Sequence, residues 1–545
     1  MSTSVKEDRD APARPQVDRV VLTVSAGILV TFVAAAIAVP ATVTELVNTG
    51  FTASVRWFGL YWQLLLLATF VVAIALACTP WAKARLGGIP VPEYSRFKWI
   101  AMIMCTLMAG GGVFWAAAEP MYHFLTTPPH FEGRPDVDPA TAALAQSFAH
   151  WGFLAWAILG SLGAMVMLYG VERGMPLRPR TLLYPVMGER IRTSWIGSVV
   201  DIVCIIAVVA GTVGPIGFLG LQVAYGLDSL FGIPNVYGVQ LVVIVVLTAI
   251  IVASVLSGLD KGIQILSRIN VWMALVLMAL VLAVGSVGFV LRAWLSGLAT
   301  YATDFVGMSL YQGDQAWLSS WTIFFFGWFM GYGPLMAIFI ARISRGRTAR
   351  DLLVCTAVIP PIATTLWFTV LGGTGIWVEQ NTPGAISDPL ADGGLPAAVM
   401  AIASNLPLGG LLAVGFLLLT ITFVATTGDS MAYAVAQACV RDDSPPSWLR
   451  AMWAVIMGGA AAVLISIGDG GISALQSFIV ITAVPVGFVL LPSVFAAPIY
   501  VRRLALEQRR YPFISITPAN HPTDNTSENT PKETTENTSA KESSA

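Results

Sequence analysis

Residues 320–350 read SWTIFFFGWFMGYGPLMAIFIARISRGRTAR. The first two thirds of this stretch are apolar and aromatic, and a membrane span needs about 20 mainly apolar residues. The last third carries Arg342, Arg345, Arg347 and Arg350. A basic segment directly after an apolar run is typical of the cytoplasmic end of a membrane helix. The stretch therefore predicts one membrane helix and its direction.

The rest of the chain repeats this pattern. Of 545 residues, 56% are hydrophobic and 11% are charged, and the mean hydropathy is +0.74; an ordinary soluble domain has about 25% charged residues. We therefore expect an all-α polytopic membrane protein with about 12 transmembrane helices. The apolar runs lie near 20–40, 57–79, 99–119, 143–170, 197–224, 237–257, 271–291, 321–341, 351–374, 408–436, 451–467 and 473–500.

The basic residues predict the orientation. With both termini in the cytoplasm, only Arg56, Arg134 and Arg292 of the 30 Lys and Arg residues lie on or near the outside. Positive residues concentrate in cytoplasmic loops. We therefore expect a multi-pass protein of the bacterial inner membrane. The first apolar run is too long for a signal-peptide core of about 7–15 residues, so it should be retained as a helix.

The chain divides into a transport domain and two tails. Residues 1–19 and 506–545 are polar and should be disordered cytoplasmic tails, and residues 20–505 should form the twelve-helix domain. The C-terminal tail is acidic and poor in lysine, so it lacks the polybasic character of a lipid-sensing segment.

Glycine and proline interrupt the third and eighth spans. The third contains residues 109–112, AGGG, and the eighth contains Gly327, Gly331, Gly333 and Pro334. Interrupted helices in matching positions of two halves indicate a midplane site in transporters with inverted repeats. The two repeats would cover about 97–297 and 318–500. Close helix packing is the alternative explanation for each glycine group.

Aromatic residues cluster at the same depth. Trp151 and Trp156 lie in the fourth span, and residues 324–329, FFFGWF, fill the middle of the eighth. Such a cluster is either core packing or a cage that holds a cation against ring faces. Asp201 and Asp429 are the clear acids at membrane depth, with no Lys or Arg along these segments. A zwitterion or a cation therefore suits the site better than an anion.

Other functional classes find little support. The net charge of −1 disfavours nucleic acid, which needs a clustered basic surface. The five cysteines have no pairing or metal-binding spacing, and no cofactor is indicated. Of the four histidines, only His150 falls in a predicted span; His123 and His130 are expected in the outer loop and His521 in the tail. We expect no enzyme. A non-transporting sensor remains an alternative class.

Several motifs, in order, resemble the betaine/choline/carnitine transporter family. Besides residues 320–350, they are residues 114–115, FW, with 119–120, EP; residues 150–152, HWG, with Trp156; residues 257–262, SGLDKG; and residues 426–430, TTGDS. The resemblance covers residues 20–505.

This resemblance implies a fold and a substrate. It implies a leucine-transporter-like inverted repeat of five plus five helices preceded by two extra helices, a homotrimer, and transport of a small zwitterionic substrate such as a quaternary ammonium compound. Trp151, Trp156, Trp328 and Phe329 match the aromatic substrate box, Gly111 matches a family glycine, and Tyr332 lies on the inward path as a gating residue.

Three positions differ from the family pattern. Leu159 replaces a tyrosine of the box, and Phe329 and Tyr332 replace tryptophans. Tryptophan is the best cation–π face and phenylalanine a poorer one. Glycine betaine, choline and carnitine are therefore candidate substrates, and a sulfonium, taurine or a cyclic osmolyte is an alternative.

The resemblance also implies sodium as the coupling ion. The matching ligands are backbone groups near Cys105 and Met108, the backbone of Phe423, and the hydroxyls of Thr426 and Thr427. Oxygen ligands suit a hard cation. Threonine hydroxyls in membrane helices also bond their own helix, and proton coupling or exchange remains the alternative.

Overall fold

The structure is a computed structural model that describes residues 16–108, 111–257, 264–440, 445–467 and 472–510. These residues are almost entirely helical, and the described part of the chain contains no β-strand beyond two isolated bridges, Val17 with Val440 and Arg85 with Thr348. The predicted all-α membrane architecture is confirmed.

The first half of the chain contains the two leading helices and the third to seventh spans. Its helices are α1 Arg19–Ala38, α2 Pro40–Cys78, α3 Arg96–Met108, α4 Gly112–Leu125, α5 Pro139–Trp151, α6 Phe153–Gly160, α7 Leu162–Val171, α8 Tyr184–Met187, α9 Trp195–Phe231, α10 Tyr237–Ser257, α11 Gln264–Val284, α12 Val287–Thr303 and α13 Phe305–Ser309.

The second half contains the eighth to twelfth spans. Its helices are α14 Gln315–Leu318, α15 Phe324–Ile343, α16 Ala349–Ala357, α17 Ile359–Phe368, α18 Thr374–Asn381, α19 Ser387–Gly393, α20 Ala398–Ser404, α21 Gly409–Ala438, α22 Ser447–Leu464 and α23 Ile472–Arg510. Single π-helical turns, Ser319–Ile323 and Thr369–Gly373, precede α15 and α18.

The described helices account for the twelve predicted spans. Ten helical runs are long and apolar enough to cross a membrane, and the bent pair Arg268–Val284 and Val287–Thr303 makes eleven. The remaining predicted span corresponds to α3 and α4, each of which is too short alone. Because α9 and α15 are almost fully buried whereas α1 and α10 are mostly exposed, the former form the centre of the bundle and the latter its lipid-facing rim.

Three predicted boundaries were wrong. The seventh span was expected at 271–291, but α11 ends at Val284, and the chain turns by 109° before α12. Residues 506–510, expected in the tail, continue α23 to Arg510. Gln508 explains this extension, since its side chain bonds both the amide and the carbonyl of Arg85. At the N-terminal end, residues expected in the tail also contact the domain: Val17 forms an isolated β-bridge with Val440, and the Asp18 amide donates to the Cys439 carbonyl.

Only one of the two predicted interruptions is present. The third span breaks between α3 and α4, where Gly111 has a φ of 130°, a backbone conformation that favours glycine. The eighth span was predicted to break at its glycines, but α15 runs through all of them. A Cβ on Gly327 would approach the Trp62 ring at 3.0 Å, and one on Gly333 would approach Leu490 at 2.7 Å. These glycines therefore serve close helix packing.

Asp201 is an ion-pair partner rather than an isolated acid. Its carboxylate accepts hydrogen bonds from the backbone amide and the guanidinium of Arg180, each at 2.8 Å. Arg178 lies 3.6 Å away and also binds Asp18, which caps α1. Burial raises the pKa of Asp18, but hydrogen bonds from Arg178 and the Val21 amide, together with the charges of Arg178 and Arg180, outweigh it and leave the pKa lowered. Both arginines belong to the connection between α7 and α8, while α9 itself carries no Lys or Arg, as expected.

Candidate functional site

A small cavity lies where α4, α6, α15 and α17 meet. It is lined by Gly112, Trp151, Trp156, Leu159, Phe329, Thr364, Trp367 and Phe368, and its volume is about 10 Å³. That is room for about one water-sized sphere. None of the lining residues is charged, and five are aromatic. The site is therefore closed in this structure and chemically suited to a group that binds ring faces.

Breaks in the helices bring the aromatic residues together. Trp151 ends α5, and the kink at Gly152 separates it from Trp156 on α6. The Trp151 ring lies 5.1 Å from Phe329, almost perpendicular to it, and 5.1 Å from Phe368. Edge-to-face contacts at this distance are favourable. They orient the rings around the cavity.

The indole N–H groups of the lining tryptophans donate hydrogen bonds to acceptors within the protein. Trp156 donates to Thr364 Oγ1 at 3.1 Å, and Trp367 donates to the Gly112 carbonyl at 2.7 Å. Trp151 donates to Glu119 Oε2 at 2.7 Å. Because these polar edges are satisfied within the protein, the cavity is left with ring faces, which attract cations.

The other residues predicted for the box lie behind the cavity. Trp328 packs against Trp151 and donates its N–H to the Gly211 carbonyl at 3.0 Å. Tyr332 donates to the same carbonyl at 2.9 Å. Gly111 faces the Trp328 ring, which a Cβ would approach at 3.0 Å. These three residues support the cavity wall and do not line it.

Three of the lining residues were missed from the sequence. Thr364, Trp367 and Phe368 all come from α17 in the ninth span. The adjacent aromatic pair at 367 and 368 is the same signal that singled out Trp328 and Phe329. Leu159, noted as a departure from the family, lines the cavity where the family has a tyrosine.

A buried carboxylate and two histidines lie next to the cavity. Glu119 Oε1 is 2.5 Å from His150 Nδ1 and 3.5 Å from His123 Nε2, and all three side chains are fully buried. His123 was expected in the outer loop, but α4 continues to Leu125 and includes it. Glu119 was not counted among the membrane-depth acids. Glu119 is hydrogen-bonded to His150 and lies beside His123, and we call these three residues the Glu–His cluster.

The predicted sodium ligands show two different environments. Thr426 donates to the Thr422 carbonyl at 2.6 Å and accepts from Asn270 on α11. Thr427 is buried and its hydroxyl has no hydrogen-bond partner. Phe423 is half-buried. Cys105 and Met108 end α3, but their side chains lie outside the described residues.

The comparisons with known proteins agree with this architecture. The profile described as "BCCT, betaine/carnitine/choline family transporter" matches residues 20–505. The chain belongs to this transporter family. Membership makes the protein a transporter and not an enzyme.

Two relatives of this transporter differ in their sequence identity to it. Glycine betaine transporter 2 of Vibrio parahaemolyticus is 47% identical over 485 residues, which are 89% of this chain and 90% of the relative. The ectoine/glycine betaine/proline transporter EctP of Corynebacterium glutamicum is 30% identical over 86% of this chain and 77% of the relative.

One similar solved structure is distantly related in sequence. A manganese transporter mutant of Eremococcus coleocola has a TM-score of 0.46 at 14% identity and covers 78% of this chain and 89% of its own. We base no argument on a likeness at this level.

Proposed function

We propose that the protein imports a small zwitterion or cation with a quaternary ammonium group, such as glycine betaine, choline or carnitine, by sodium-coupled symport. The observation that carries the proposal is the uncharged cavity walled by five aromatic residues. Each desolvated cation–π contact contributes about 0.5–2 kcal/mol. The relatives named for glycine betaine transport support the same substrate class.

The cavity wall favours an onium group over an anion. A sulfonate would place its negative charge among ring faces, which repel anions. The replacement of a family tyrosine by Leu159 removes a ring and leaves space for a bulkier headgroup. Sulfoniums and cyclic osmolytes such as ectoine carry delocalised or full positive charge, so they belong in the panel of test substrates beside glycine betaine.

Sodium coupling rests on the buried hydroxyl of Thr427. A buried hydroxyl without a partner costs about 1–3 kcal/mol, and a hard cation with oxygen ligands would satisfy it. Thr426 points to Asn270 instead, so its hydroxyl has one remaining lone pair for an ion. The two threonines should therefore contribute unequally.

The uptake assay tests substrate and coupling together. Purified protein in liposomes should accumulate radiolabelled glycine betaine when sodium is higher outside, and not when only a proton gradient is imposed. Trp156→Ala should raise the half-saturation concentration at least tenfold, because loss of one cage contact costs about 1–2 kcal/mol. Binding without uptake under any gradient would instead indicate a sensor.

The threonine variants test the ion site. Thr427→Ala should raise the sodium concentration for half-maximal uptake more than Thr426→Ala does. Thr422→Ala is the matched control, since its hydroxyl bonds only the Leu418 and Leu419 carbonyls. Accumulation driven by protons alone, with no effect of Thr427→Ala on ion dependence, would reject the sodium site.

We further propose that the protein is a homotrimer in the bacterial inner membrane, with both termini in the cytoplasm. The basic loops predicted inside support this orientation, because they meet at one end of the bundle: Arg85 bonds the Gly346 carbonyl, and Glu172 accepts from the Gly87 amide.

A further inference from the structure

The Glu–His cluster is the densest group of titratable side chains in the described bundle interior. His150 Nε2 lies 2.9 Å from Thr322 Oγ1 and 3.1 Å from Gln146 Nε2. His123 has no hydrogen-bond partner at either ring nitrogen. Intramembrane carboxylates and histidines are costly to bury and usually mark ion or proton pathways. A packing role alone would not need an unbonded histidine beside a carboxylate.

Among the described residues, no other charged group acts directly on the cluster. The elements against α4 and α5 present aromatic or uncharged side chains to it, including Trp317, Trp321 and Phe325. The charged side chains elsewhere on these elements do not face the cluster. Four of them have partners of their own: Glu379 binds residues 384–387, Asp304 binds Arg134 and His130, Asp138 caps α5, and Asp201 binds Arg180. The other three are remote, because Arg292 is exposed and Asp228 and Arg342 lie at the ends of α9 and α15. The first proton gained by the ionised cluster therefore cancels its negative charge, and no neighbouring charged group offsets that change.

Trp151 connects the cluster to the cavity. Its N–H donates to Glu119 Oε2, while its ring forms part of the cavity wall. An ionised acceptor makes this a charge-assisted hydrogen bond and polarises the indole toward a more negative ring face. Protonation of the cluster removes that polarisation and also removes the negative charge that attracts the headgroup, and both effects weaken the binding of a cation.

We propose that the Glu–His cluster is a proton-binding site that competes with the cationic headgroup, so that one proton leaves the cluster when substrate binds. The inference rests on the proposed cationic substrate. It uses none of the predicted ligands of the sodium site, which lie on α3 and α21. Because linkage is reciprocal, the affinity for substrate should fall by up to about tenfold for each pH unit of acidification across the range in which the cluster titrates.

Calorimetry measures this linkage directly. Glycine betaine is titrated into the purified full-length protein at constant saturating sodium, between about pH 5 and 9, where histidine environments titrate. Two buffers of different ionisation enthalpy at each pH give the number of protons released. We expect close to one proton released per substrate within the titration range, and weaker binding at low pH.

Variants assign the proton to the cluster. Glu119→Gln keeps an acceptor for Trp151 and a donor for His150 but cannot ionise, so its affinity should be weaker than that of the wild type and independent of pH. His123→Gln removes a titratable group that makes no hydrogen bond, and it should flatten the pH dependence. His130→Gln, at the histidine beside Asp304, is the matched control and should keep the wild-type profile.

Three outcomes would overturn the inference. The first is that the affinity of the wild-type protein for glycine betaine does not vary with pH. The second is that Glu119→Gln and His123→Gln both release as many protons as the wild type, and the third is that His130→Gln loses the pH dependence. Failure of the proposed function looks different, because glycine betaine, choline and carnitine would then not bind to the wild-type protein at any pH.

Discussion

Gly211 has a carbonyl oxygen that its own helix leaves unused, because Pro215, four residues later, has no amide proton to donate. The helix α9 continues through this proline, and the carbonyl accepts from Trp328 and Tyr332 instead. A proline on one helix thus explains two side-chain orientations on another. Trp328 was predicted to bind the substrate and Tyr332 to act as a gate on the inward path, and their contacts indicate a supporting role in this conformation.

We predict that Trp328→Phe and Tyr332→Phe each lower the stability of the protein only slightly, whereas the double variant is clearly destabilised. Either residue alone can satisfy the carbonyl, whereas the double variant leaves a buried acceptor without a partner, at a cost of about 1–3 kcal/mol. Thermal unfolding in detergent should show a loss in the double variant greater than the sum of the two single losses. Purely additive losses would show that the carbonyl does not couple the two residues.

At the scale of the element, Gly111 sets the break between α3 and α4. Its positive φ and its contact with Trp328 and Trp115 exclude a side chain. Gly111→Ala should therefore destabilise the protein by about 1–3 kcal/mol and reduce uptake. Gly459→Ala on α22 is the control, since a Cβ there meets nothing within 4 Å. It should be neutral or stabilising. Equal effects of the two changes would contradict a structural role for the break.

The spans could be predicted because each needs a long apolar run, and the basic loops marked their ends. The bend after Val284 could not, since apolar residues continue past it to residue 291. The predicted break in α15 was wrong because the sequence does not distinguish two kinds of glycine. One kind interrupts a helix, and the other allows a neighbouring helix to pack closely. Only the packed partners, such as Trp62 against Gly327, distinguish the two.

The site was predictable in part. Trp151, Trp156 and Phe329 follow from motifs and do line the cavity. The Glu–His cluster depends on contacts between α4 and α5 across 31 positions of the chain, and its members carried no pairing signal in the sequence. The end of α4 was also placed too early, which put His123 outside the membrane domain.

At the scale of the whole molecule, the acidic C-terminal tail should be dispensable. Arg85 holds Gln508 near the end of α23, and the part of the predicted tail beyond residue 510 lies outside the described residues. Truncation after Thr517 should leave uptake and its response to hyperosmotic shock nearly unchanged. A truncated protein that inserts normally but no longer responds to osmotic shock would contradict this prediction.

The central claim is that a cation binds the aromatic faces of the cavity, and its most direct test is a fluorination series at Trp156. Each added fluorine withdraws charge from the ring face with little change in shape, so a cation–π contact weakens stepwise. We predict that the logarithm of the glycine betaine dissociation constant rises steadily with the number of fluorines at Trp156. The same series at Trp453, a buried tryptophan of α22, should have no effect. A dissociation constant independent of fluorination at Trp156 would contradict the account.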